Sequence, residues 1–116
     1  MQEWMKPIVS KIEQLALDFE GVEKRYLTVH VSFSFEGQVL FYLKNDEQKI
    51  TLGCLKGYLL EDLFTFEYAS KYMRHWYIKS ENDFNEETIK HYIDEAIVCS
   101  IELNEKKRMK QNLRRK

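Results

Sequence analysis

A chain of 116 residues has the length of one domain and can bury a core without disulfide or metal staples. Its 44% apolar and 32% charged content is that of an ordinary globular protein, which excludes a chain too polar to fold. No apolar run approaches the roughly 20 residues that a bilayer-spanning helix requires, so a membrane partner is not expected.

The net charge of −1 conceals a segregation. Residues 105–116 hold seven basic side chains against Glu105, a net +6. The other 104 residues hold 11 basic and 18 acidic groups, a net −7. Two cysteines, Cys54 and Cys99, stand outside any CxxC or metal-ligand spacing and read as reduced, buried thiols. The opening MQEWMKP lacks the apolar stretch of a secretory signal, so a cytoplasmic protein is expected.

In chain order, Trp4, Ile8, Ile12, Leu15 and Phe19 recur at steps of three and four, which predicts a helix with one buried face. Pro7 is tolerated only in its first turn, and Gly21 suits its end. Residues 25–35 alternate with period two, predicting one strand. Leu27, Val29, Val31, Phe33 and Phe35 lie on its core side, and Tyr26, Thr28, His30, Ser32 and Ser34 on the wet side. Glu36-Gly37 predicts a hairpin turn into QVLFYLK (38–44), and NDEQ a second turn into KITLGCL (49–55).

Gly53 and Gly57 mark close backbone approach, and residues 59–70 read as a loop with one helical turn. YMRHWYIK (72–79) predicts a fourth strand, with Trp76 and Ile78 on one side and Met73, His75 and Tyr77 on the other. Asp83 with Glu86 reads as a capping box for a helix carrying Ile89, Ile93, Ala96, Ile97 and Ile101, which frays into the basic residues. The sum is an α+β domain over residues 1–104, with an N-terminal and a C-terminal helix covering one face of an antiparallel sheet, and a basic tail over 105–116.

The segments VSFSFEGQVLFYLK, LGCLKGYLLED, YMRHWYIKS and DFNEETIKHYIDEA, taken in order over roughly residues 29–98, resemble the YdhG-like family, a bacterial domain of unknown function. Ser32 stands where that family usually has a proline. The resemblance implies a frataxin-like fold. It also implies a non-enzymatic iron chaperone that works with protein partners of metal or cluster assembly.

Iron would be held by oxygen and nitrogen ligands. Asp18, Glu20 and Glu23 form one acidic group, and Glu87, His91, Asp94 and Glu95 form another at helical spacing, with Lys90 set to pair with Glu86 or Asp94. For either group the plainer reading, and the favoured one, is a solvated polar face. His30, Tyr42, His75 and Tyr77 fall on the uncovered sheet face, where sixteen aromatic residues in the chain make a docking surface plausible. Lys106, Lys107, Arg108, Lys110, Arg114 and Arg115 suit nucleic-acid phosphates, or a solvated end. No GxSxG, HExxH or glycine-rich phosphate loop is present, so an enzyme is not expected.

Overall fold

A computed structural model describes residues 2–55, 67–68, 71 and 73–114. Helix α1 (Met5–Leu17) is followed by strands β1 (Val22–Tyr26), β2 (Val31–Phe35), β3 (Gln38–Asn45), β4 (Ile50–Cys54), β5 (Glu67–Tyr68) and β6 (Arg74–Ile78). Helix α2 (Glu86–Arg114) follows a 3-10 turn at Glu81–Asp83. The strands form one antiparallel sheet in the order β1-β2-β3-β4-β6-β5. The α+β arrangement expected from the pattern is therefore present.

The core lies between one face of this sheet and both helices. Met5, Ile8, Ile12 and Leu15 of α1 and Ile89, Tyr92 and Ile93 of α2 join Phe33, Phe41, Leu43, Ile50, Leu52, Trp76 and Ile78 in a single buried cluster. Phe33 and Phe41, opposed across β2 and β3, stack at 4.8 Å. Glu36 and Gly37 both take positive φ (49° and 79°), the geometry of a type I′ turn, whose twist matches the strands it joins. A bulge in β3 beside Phe33/Ser34 then lets Leu40 and Phe41 both be buried although they are adjacent.

Five expectations are corrected. Residues 25–35 are not one strand: the backbone N–H of Leu27 donates to the His30 carbonyl at 2.8 Å, closing a turn between β1 and β2. Leu27 and Val29, expected in the core, sit at that turn and are 42% and 65% exposed. Tyr26 leaves the wet face, because it shares a side of β1 with Lys24, which reaches α1 to pair with Glu13 at 3.5 Å and lies 4.8 Å from the Tyr26 ring.

The α2 cap is Asn85, whose Oδ1 accepts from the backbone N–H of Thr88 at 3.0 Å. Asp83 instead accepts from the backbone N–H of Lys79 and closes the preceding turn. Finally, α2 does not fray at residue 104 but runs unbroken to Arg114. The expected helical turn in 59–70, together with Gly57, falls almost wholly outside the described residues. Glu67 and Tyr68, within that span, form the edge strand β5.

Candidate functional site

With both helices on one side, the other sheet face is built from the alternate residues of each strand. Register places Ser32, Tyr42, Gly53 and His75 side by side across β2, β3, β4 and β6. One step along, Lys44, Thr51 and Tyr77 form the neighbouring row. His30, two residues before Ser32, faces the same way, and its ring lies 5.0 Å from that of Tyr42.

Tyr42 Oη lies 2.7 Å from His75 Nε2, and Tyr77 Oη lies 3.1 Å from His75 Nδ1. An imidazole is thereby flanked by two phenols. In its neutral form one nitrogen donates to a phenol oxygen while the other accepts a phenol O–H; once protonated, both nitrogens donate. Burial, with smaller contributions from Tyr77 and Cys54, holds the Tyr42 phenol above its ordinary range, so its proton stays available as a donor. The Tyr42 ring can lie over β4 because Gly53 has no side chain there.

Three lysines surround this row. Lys49 Nζ lies 4.5 Å and Lys79 Nζ 5.8 Å from the centre of the Tyr77 ring. Lys44 lines the same groove with Tyr42, Asp46, Lys49, Thr51, His75 and Tyr77, around an open space of about 540 Å³. Among the described residues, none of the three ammonium groups has a carboxylate oxygen within 4.0 Å. Asp46 Oδ1 is already engaged, accepting from the backbone N–H groups of Gln48 and Lys49. Those two bonds, with the nearby Lys49 and Lys44, keep its carboxyl below the usual range. The groove and its rim therefore offer hydrogen-bonding rings and an excess of positive charge, three ammonium groups against the Asp46 carboxylate.

The other sequence-derived candidates disperse. Asp18 caps the end of α1, Glu20 lies in the following turn, and Glu23 is on the uncovered side of β1, opposite Ser34. On α2, His91 Nε2 and Glu95 Oε1 are 3.4 Å apart, whereas Lys90 and Lys11 both engage Glu86, at 3.8 and 3.6 Å. Glu87 and Asp94 are exposed. Among the described residues, no three His, Cys, Asp or Glu side chains converge on a point where a metal ion could sit.

Lys106, Lys107, Arg108 and Lys110 are exposed along the last turns of α2, which also contain Arg114; Arg115 lies outside the described residues. Cys54 and Cys99 line one narrow cavity between the sheet and α2, with Gln38, Leu40, Ala96 and Ser100. Among the described residues, no helix is long and apolar enough to cross a membrane.

Comparison with protein-family models, with curated proteins and with solved structures gives no match to this chain. The lysine ring is the part of the site that reading the sequence missed. Alternation alone puts Lys44 with Tyr42, Lys49 with Thr51 and Lys79 with Tyr77, so the face of all three was within reach. Only the pairing of β4 with β6 brings Lys49 beside the Tyr77 ring.

Proposed function

We propose that this chain is a non-enzymatic binding module that docks an acidic segment of a partner protein on the open sheet face. What carries this reading is the Tyr42–His75–Tyr77 cluster bordered by Lys44, Lys49 and Lys79. Aromatic rings supply contact area with little loss of side-chain freedom, and unpaired ammonium groups select carboxylates. The cluster spans two strand spacings, from β3 over β4 to β6, about 10 Å, the length of roughly three extended residues.

The test is an amide-shift titration with a synthetic peptide alternating Glu and Leu, in the presence of a chelator. Shifts should map to β3, β4 and β6. A Tyr42→Ala, Tyr77→Ala double variant with retained amide dispersion should bind at least about tenfold more weakly, as for loss of central interface aromatics. Shifts confined to other surfaces, or equal affinity in the double variant, would refute it.

The iron chaperone and frataxin-like fold implied by the YdhG-like resemblance form a second reading. It is supported by the His91–Glu95 pair, in which Glu95 Oε2 is buried with no hydrogen-bond partner among the described residues. Anaerobic ferrous titration, with magnesium as control, should then give saturable binding that Glu95→Gln abolishes. Heat no greater than that of magnesium would remove this reading and leave the first intact.

A further inference from the structure

The acidic face of the charge segregation belongs to the folded body, and the basic face belongs to a rod. Beyond Ile97 the exposed positions of α2 include Val98, Ile101 and every described residue from Glu105 to Leu113. The molecule measures 58 Å along its longest axis against 27 and 25 Å across. From Asn104 to Arg114 the helix rises about 15 Å. That exceeds the Debye length of about 8 Å at physiological salt, so the field of the acidic body is largely screened along most of the arm.

On this arm Lys106, Lys107, Arg108 and Lys110 occupy an arc of about 200° at helical spacing. Arg108 shares Glu105 at 3.3 Å, while Lys106, Lys107 and Lys110 have no carboxylate oxygen within 4.0 Å among the described residues. The chemistry that neutralises such a rod must present negative charge on both of its flanks. A duplex groove does so, because phosphates line both edges and the major groove admits an α-helix. A lipid surface meets one side only and needs an apolar face beneath the charges. Here the exposed apolar residues from Val98 onward are Val98, Ile101, Met109 and Leu113, of which only the last two lie among the basic residues, and none is aromatic.

We infer that the projecting last turns of α2 are a sequence-independent nucleic-acid contact, in which Lys106, Lys107, Arg108 and Lys110 engage duplex phosphates. The sheet face takes no part in it, so this contact stands independently of the proposed peptide site. The body, at −7, adds no attraction, and affinity therefore depends steeply on salt. Four phosphate contacts give a log–log slope of about −3.6, or about 150-fold weakening between about 50 and about 200 mM salt.

The experiment is fluorescence anisotropy of a labelled duplex of about 20 base pairs of arbitrary sequence, titrated with the full chain at both salt concentrations. Wild type should bind at the lower salt with the stated slope. Lys106→Glu, Lys107→Glu, Lys110→Glu together should abolish binding while helicity by circular dichroism is retained. Tyr77→Ala should leave binding unchanged, which separates this site from the sheet face. Absence of binding at low salt, or equal binding by the charge-reversed chain, would overturn the inference. So would capture of the arm by phosphatidylserine vesicles but not by the duplex.

Discussion

At Gly53 the missing side chain is what lets the Tyr42 ring lie across β4, since a Cβ there would come within 2.1 Å of the ring's Cζ. The atoms in the way belong to a side chain, so alanine would push the ring aside and break its bond to His75 rather than distort the sheet. Losing that hydrogen bond and its packing costs about 1–2 kcal/mol, partly offset by the lower chain entropy of alanine. Gly53→Ala should therefore destabilise the wild type by about 1 kcal/mol and be neutral or stabilising in a Tyr42→Ala background. Urea denaturation of the four proteins measures this coupling. Equal effects in both backgrounds would mean that the ring does not rest on Gly53.

Among the elements, α2 departs most from what its local sequence suggests. Asp83 and Glu86 have the spacing of a capping box, yet the chain places Asp83 in a 3-10 turn and begins the helix after Asn85. Asn85→Ala should cost about 1 kcal/mol, the usual value of an N-cap, and more than Asp83→Ala. Denaturation midpoints of the two variants decide the point, and the reverse order would restore Asp83 as the cap. At its other end α2 outlasts the core: Ile89, Tyr92 and Ile93 are buried, whereas Ile101, Met109 and Leu113 are exposed. Continuity of the helix there comes from propensity, since most of residues 102–114 are Glu, Leu, Lys, Arg, Met or Gln, which lose little side-chain freedom on a helix.

For the molecule as a whole, covering a single sheet face buries Cys54 of β4 between the sheet and α2. Burial pushes the Cys54 thiol up from 9.0 to about 12. A raised thiol pKa means that the folded state keeps a proton the unfolded chain has lost. Its contribution to stability is complete below about pH 9 and is lost as pH rises toward about 12, at about 1.4 kcal/mol per pH unit. Tyr42, shifted in the same direction, adds to the alkaline loss. Urea midpoints measured from neutral pH to about pH 11 should fall less steeply in Cys54→Ala than in wild type. An unchanged slope would assign the alkaline loss to other groups.

Local pattern was enough for the existence of both helices, the β2–β3 hairpin, the turn at Asp46 and the side of β6 on which His75 and Tyr77 lie. Each of these depends on local periodicity or on a residue whose backbone preference is strong, such as Gly37. Local pattern could not separate β1 from β2, because Leu27 and Val29 keep the alternation while a hydrogen bond turns the chain between them. Tertiary structure alone decided that β6 lies beside β4, which brings His75 within reach of Tyr42, 33 residues away along the chain. It decided equally that, among the described residues, no three acidic, imidazole or thiol groups converge. Strand order and helix placement are fixed by burying one common core, a long-range free energy that no short window of residues contains.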